Sequence, residues 1–448
     1  MSDTPETLTA RLIDAAMKAG AEAADAIAVD GTSLSIDVRG GVLEQAERAE
    51  GTDIGLRVLL GRRQACVSTS DTRDTTIAEM AQRAVAMARE APADPFVGLA
   101  DPAQLAHGWN LDALELVDPA PEPDPAVLAD DARRAEAAAR AVSGVTQVQS
   151  ASAGYGRQRI HLAASNGFSG GYMRSERGIS CVAISGTGTG MERDHDAESR
   201  VFQCDLPDAA QIGRTAGERA VARANPRRPR SGAFPVLFDE RIAASLIGHL
   251  LAAINGTAIA RGASWLRDAM GETVLPPGLS LIEDPLRPRI GGSRPFDAEG
   301  LATAKRAIVE NGVLTGWVLD LATARKLGLE STANAARGPS APPAPAVSNV
   351  TLTPGAQSRG ELLRDMGTGL LVTSMIGSSI NATTGDYSRG ASGFWVENGE
   401  FAYPVNECTI AGNLRDMLRG MVPANDAQVH LSRRVPSLLV EGMTLAGE

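Results

Sequence analysis

The sequence predicts an α+β protein. Its N-terminal α/β half has antiparallel sheets and flanking helices, and its C-terminal domain is mainly antiparallel β with a central helix. Three observations predict this. Short apolar runs are broken by Gly31, Gly40, Gly41 and Gly61 where turns are needed, the pattern of an antiparallel meander. Other stretches repeat apolar residues at helical spacing, as at Ile77, Met80, Ala84 and Ala88. Proline-rich breaks at residues 118–125 and 225–232 divide the chain. The expected units are residues 1–117, which include a proline-rich connector, residues 118–231, and a C-terminal domain over 232–448. A chain of 448 residues is long enough for such units, each with a substantial core.

Thr4 caps a first helix, with Pro5 at its first position and Gly20 just past its end. Leu8, Leu12, Ala15, Ala16 and Ala19 form its apolar face. Short strands are expected at 26–29, 33–38, 42–49, 55–60 and 63–68, then a helix over 75–89. Residues 91–125 read as a connector laid over a surface, docked by Leu105, Trp109, Leu111 and Leu114. An alanine-rich helix over 126–142 ends at Gly144. Strands follow at 145–154, 157–164, 168–177, 179–186 and near 200–204, with turns at Gly154-Tyr155-Gly156 and Asn166-Gly167. A helix over 207–224 closes the second unit. The third opens with a strand at 234–238 and the helix 240–254, and a proline-rich interruption lies at 338–348. Ser358 and Glu361 form a capping box for a short helix that Gly367 ends, and 370–375 reads as a buried strand.

Composition removes several function classes. The net charge of −11 argues against a binder of nucleic-acid backbones, which needs a basic face. The lysines are Lys18, Lys305 and Lys326, and none follows a glycine as a phosphate loop requires. Gly186, Gly188 and Gly190 imitate such a loop but lack the following helix, so they read as a strand end. Cys66, Cys181, Cys204 and Cys408 are widely spaced, which fits free thiols in a reducing compartment. With no signal-like N-terminus and no long apolar run, a cytoplasmic protein without a membrane span is expected. Glu192, Asp194, His195, Asp196 and Glu198 read as a solvated loop rather than a metal site. His107, His161 and His430 are isolated, and no nucleophile elbow or Ser/His/Asp set is visible.

Residues 374–412 carry the most distinctive pattern. Gly, Ser, Thr and Asn crowd the stretch up to Gly393, the composition of a surface loop or of a sheet that lets another backbone approach. A hairpin is expected at Glu397-Asn398-Gly399-Glu400, between strands starting at Phe394 and Phe401. The run TTGDYSRGASGFWVENGE at 383–400, with GHLLAAINGTAIARGASWL at 248–266, resembles the C-terminal domain of the TldD/PmbA family, also called the modulator of DNA gyrase family. The resemblance is to its PmbA/TldE branch and covers nearly the whole chain.

This resemblance implies a subunit of a two-part TldD–TldE metallopeptidase that processes or degrades unfolded or modified peptides. In the zinc-bearing branch the corresponding helix carries HExxxH, two zinc ligands and a general base. Aligned on Gly248-His249, this chain has Ala244 for the first histidine and Ser245 for the glutamate, and only His249 remains. Positions five apart on an ideal helix face about 140° apart, so such a motif also needs a distorted turn to converge. The branch's C-terminal cysteine is absent from the tail after Asn425. The expectation is therefore no catalytic residue and no cofactor in this chain, zinc in a TldD-type partner, and His249 as a packed residue. Ser378, Asn381, Thr384, Gly385, Asp386, Ser388, Arg389 and Ser392 are the expected contacts for an extended peptide. Two alternatives stay open: a stand-alone peptidase with a noncanonical metal site around His249, and a non-catalytic peptide- or protein-binding regulator. Whether the isolated chain is a homodimer also stays open.

Overall fold

The computed structural model describes residues 3–447, and the side chain of Ser378 lies outside the described residues. Helix α1 (Pro5–Lys18) starts where expected, with the Thr4 hydroxyl accepting the Thr7 N–H. Strands β1 (Ala23–Arg39) and β2 (Val42–Leu60) then form one long hairpin, turned at Gly40 and Gly41, which have φ of 65° and 77°. The four short strands expected here are thus two. Gly31 and Gly51 face each other in register inside the ladder, and ladder pairing carries the chain past both. Strand β3 (Arg63–Thr69) and helix α2 (Asp74–Glu90) follow.

The connector lies against the body of the protein. Leu105 and Leu114 are buried, and Trp109 meets Phe296 edge-on at 4.8 Å. Its last part runs along an edge, where Ser175 N–H donates to Leu116 O at 2.9 Å. After α3 (Pro125–Arg140), strands β4 (Val145–Ala164) and β5 (Ser169–Ser185) are again single long strands. Gly154-Tyr155-Gly156 makes no turn. Tyr155 is paired with Leu34 on one side and Arg177 on the other, and its ring is buried, so pairing on both sides outweighs local turn preference. The last strand of this half also differs from expectation. Strand β6 is Glu192–Arg200, while Gln203–Asp205 is a 3-10 turn. The acidic run read as a solvated loop is therefore an edge strand. Helix α4 (Ala209–Ala222) completes the half.

These strands make one six-stranded sheet in the order β3-β2-β1-β4-β5-β6. The first two units share it, because β1 pairs with β4. Helices α1 and α2 cover one part around Leu8, Leu12, Ile54 and Leu56, and α3 and α4 another around Leu128, Ala132, Tyr155 and Ile212.

The segment 225–232 is docked on the C-terminal domain: Arg227 N–H donates to Pro404 O at 2.9 Å, and Arg228 pairs with Glu407 at 2.7 Å. Next come β7 (Gly232–Phe238), α5 (Glu240–Ala253), α6 (Gly256–Ala260), β8 (Leu281–Glu283), β9 (Arg306–Glu310) and β10 (Val313–Leu314). They are followed by α7 (Leu321–Leu327), β11 (Ala335–Ala336), β12 (Ala344–Pro345), β13 (Val350–Leu352) and α8 (Arg359–Met366). The Ser358–Glu361 capping box starts α8 as expected. The chain ends with β14 (Gly369–Ile380), β15 (Asp386–Glu397), β16 (Glu400–Asn413), α9 (Leu414–Arg419), β17 (Val422–Pro423), β18 (Arg433–Arg434) and β19 (Leu438–Ala446).

The main C-terminal sheet runs β16-β15-β14-β7-β19-β17, and β16 also pairs with β19, so it closes on itself. Its core includes Phe238, Leu246, Leu250, Trp395 and Ile410. The two halves meet through an aromatic cluster of Trp109, Phe168, Tyr172 and Phe296, and through buried Arg337 and Arg57 paired to Asp25. Among the described residues no helix is long and apolar enough to cross a membrane.

Candidate functional site

The crowded stretch of small residues is a β-hairpin. Strands β14 and β15 pair along it, and the expected second turn is present, with Asn398 and Gly399 at φ of 51° and 78°. At the tip, Asn381 Oδ1 accepts the N–H groups of Thr383 and Thr384 at 2.9 and 3.2 Å. Thr384 Oγ1 donates to Asp386 Oδ2 at 2.6 Å, and Asn413 Nδ2 donates to Asp386 Oδ1 at 3.1 Å. These donors hold the Asp386 carboxyl below its ordinary range. Gly385 has φ of 83°, and a Cβ there would stand 3.4 Å from the Trp265 ring. Asn381, Thr384, Gly385 and Asp386 thus build the turn itself.

The other expected contacts lie further down the hairpin. Ser388 faces Ser379 across the ladder. Ser392 is buried, and its hydroxyl accepts from Arg223 at 2.9 Å. Arg389 donates from Nε to Gly377 O at 2.8 Å and lines a cavity of about 1030 Å³. Of the expected contacts with described side chains, Arg389 alone reaches this cavity. Ser392 stands behind it through Arg223.

The cavity opens between the two halves. Its N-terminal wall includes Val182 and Ile184 of β5 and the run from Met191 to His195. Its C-terminal wall includes Arg241, Ala244 and Ser245 of α5 with Thr373, Ser374 and Met375 of β14. Helix α5 enters from Asp239, whose carboxylate accepts the Arg241 N–H at 3.2 Å. Its other side buries Leu246, Ile247 and Leu250, which leaves Ala244 and Ser245 toward the cavity. Ser245 Oγ, His249 Nε2 and Thr373 Oγ1 are buried without a hydrogen-bond partner among the described residues. The His249 ring meets Tyr387 edge-on at 5.8 Å. Burial, and then Arg389, pushes its pKa below the ordinary value, so it is neutral at pH 7.

A second cavity of about 620 Å³ adjoins the first and shares His195 and Arg241 with it. It continues along β6 to Ser199 and is faced by Glu240 and His430. Residues 191–199 therefore border a continuous cleft, and β6 has no strand on its outer side among the described residues. Glu240 is pushed up to about 7, first by burial and then by neighbouring Asp239. Arg241 and Arg223 neutralise Asp194 at 3.2 and 3.6 Å, Arg219 pairs with Asp196 at 2.6 Å, and His430 Nε2 meets Glu198 at 3.2 Å. The sequence reading missed β6 as a wall of this site. The signal was present: the acids at 192, 194, 196 and 198 alternate with exposed residues at the period of a strand.

A zinc set does not fit here. Ala244 offers only a methyl group, the carboxylates of Glu192 and Asp194 in the facing wall are paired with Arg223 and Arg241, and the imidazoles of His249 and His195 stand on separate elements, whereas zinc takes several imidazole, thiolate or carboxylate ligands together. No group of three or more His, Cys, Asp and Glu that could hold a metal occurs among the described residues.

Three family models match the chain. Residues 24–88 match PmbA/TldA metallopeptidase domain 1, residues 118–224 the central domain, and residues 231–447 the C-terminal domain. The chain is 36% identical to metalloprotease PmbA of Escherichia coli O157:H7, over 93% of its own length and 90% of that protein. It is 35% identical to a PmbA homologue of Haemophilus influenzae, over 97% and 94% of the two chains. A Bacteroides thetaiotaomicron protein described as a candidate modulator of DNA gyrase superposes with a TM-score of 0.91 at 26% identity, over all of both chains. TldE of Thermococcus kodakarensis shares the fold with a TM-score of 0.84 at 21% identity, over 98% of this chain and 100% of that one.

Proposed function

The chain belongs to the PmbA/TldD metallopeptidase family, and from that premise we propose that it is the PmbA/TldE-type subunit of a two-subunit peptidase whose zinc is carried by a TldD-type partner. One observation carries this reading. Ala244 and Ser245 occupy the place on α5 where the zinc-bearing branch is expected to hold its first histidine and its base, and both line the interdomain cleft. A methyl group cannot bind zinc, and a hydroxyl is not a carboxylate base. This subunit shapes the chamber in which an unfolded or modified peptide is held.

The peptide lies extended in the cleft along β6. An edge strand offers main-chain groups that accept an added strand largely independently of sequence. Asp194 Oδ1 already takes the His195 N–H at 2.8 Å, and Arg219 donates to His195 O at 3.1 Å, so pairing falls to either side of His195. The work is placed in the cytoplasm, with no direct role for nucleic acid.

Elemental analysis of the purified chain tests the assignment. The expected result is far less than one zinc per chain, no peptide hydrolysis alone, and hydrolysis once an HExxxH-bearing relative from the same host is added. One tightly held zinc per chain, lost in His249→Ala, would instead make this a stand-alone peptidase. A folded chain that captures peptide but never pairs with such a relative would be a binding regulator.

A further inference from the structure

The larger cavity is basic in an acidic protein. Arg193, Arg223, Arg241, Arg389 and Arg433 line it against Glu192 and Asp194, in a chain of net charge −11. Both carboxylates are already used: Arg223 meets Glu192 at 3.5 Å and Asp194 at 3.6 Å, and Arg241 meets Asp194 at 3.2 Å. Arg193, Arg389 and Arg433 have no acidic partner among the described residues. Nε of Arg389 is spent on Gly377 O, which leaves its two terminal nitrogens without a described partner. Arg433 reaches over α5, with Nη1 at 3.4 Å from where a Cβ on Gly248 would stand.

A second feature of the same wall asks for a ligand. Thr373 is 6% exposed, lines the cavity, and its Oγ1 has no hydrogen-bond partner among the described residues. Ser245 Oγ, on the facing helix, is in the same condition. Buried polar atoms in folded proteins are normally paired, and unpaired ones mark places completed by something else. Both hydroxyls can donate. A ligand rich in acceptors and carrying negative charge satisfies the hydroxyls and the arginines together, whereas a basic ligand would find its acidic partners occupied.

We propose that this cavity binds a carboxylate of the extended peptide, with Arg389 and Arg433 as its principal cations and Thr373 and Ser245 as hydroxyl donors. Guanidinium groups suit this role because they stay charged and can grip a carboxylate with two donors. The carboxylate comes either from the chain end of the peptide or from an aspartate or glutamate side chain. The inference rests on the reading that the cleft takes peptide.

Isothermal titration calorimetry of the full chain with short unlabelled Gly/Ala-rich peptides tests it. One peptide carries two glutamates and an amidated end, a second a free end without acidic residues, a third both, and a fourth neither. The fourth is expected to bind at least about tenfold more weakly than the third. The first and second show which carboxylate is read. Arg389→Gln and Arg433→Gln should each remove most of that difference. Arg433 is exposed, so its variant stands even if Arg389→Gln folds poorly. Equal binding of all four peptides would overturn the carboxylate assignment and leave the peptide cleft standing. No binding of any peptide would overturn both.

Discussion

Glu240 opens the first turn of α5 beside the N-cap carboxylate of Asp239. Burial alone would raise Asp239, but Glu240, Arg241 and Arg359 hold it low, so Glu240 keeps the proton. The sign follows from linkage. A carboxyl raised from 4.5 to about 7 contributes stability that is complete below 4.5 and is lost as pH rises through 7. Above that the carboxylate faces Asp239 and Asp426, with Arg359 as its nearby cation. Glu240→Gln, which imitates the protonated group, should therefore match the natural chain in melting temperature at pH 5 and exceed it by a few degrees at pH 8. Equal melting curves at both pH values would show that folding does not raise the Glu240 carboxyl. At this scale the sequence was informative about absence: no histidine in it is followed by glutamate. It was silent about Glu240, because a carboxylate pair at a helix start looks like ordinary capping until burial is known.

At the scale of elements, kinds were legible and lengths were not. Every expected helix of the N-terminal half is present, since apolar spacing and caps are local signals. The long strands were divided at Gly31, between residues 49 and 55, and at Gly154, because glycine's preference for turns is local while the pairing that overrides it comes from distant chain. Helix packing has the same character. Gly213 of α4 looks like a poor helix residue, yet a Cβ there would stand 1.9 Å from Ala135 O of α3. The alanine-rich faces of α3 and α4 meet at that point. Gly213→Ala should thus destabilise the chain by about 1–3 kcal/mol despite alanine's better helix propensity, because backbone must move to admit the methyl. Urea unfolding measures it, and a stabilised variant would mean that the two helices separate at no cost.

At the scale of the whole molecule the cleft is assembled from residues far apart in sequence: β5 and β6 on one side, α5, β14 and Arg433 on the other. No local pattern announces such a place, which is why the peptide contacts were sought along one contiguous stretch. That stretch supplies Arg389 to the wall, while its tip residues bond mainly to one another. Ser392, buried against Arg223, is a support behind the wall and a poor site for added bulk. Ala244 is the better probe. It is partly buried, it faces a cavity of about 1030 Å³ with room for an indole, and it makes no hydrogen bond through its side chain. Ala244→Trp should lower the melting temperature by only a few degrees, since Ala244 touches the core on one side but lines a cavity large enough for the ring on the other. Capture of the proposed zinc-bearing partner should persist. Peptide cleavage by the reconstituted pair should fall at least about tenfold, because a substrate shifted by an ångström loses its alignment with the reacting groups. If a folded, partner-bound Ala244→Trp protein cleaves peptide at the natural rate, the substrate does not pass this wall, and the chamber must lie on another face of the subunit.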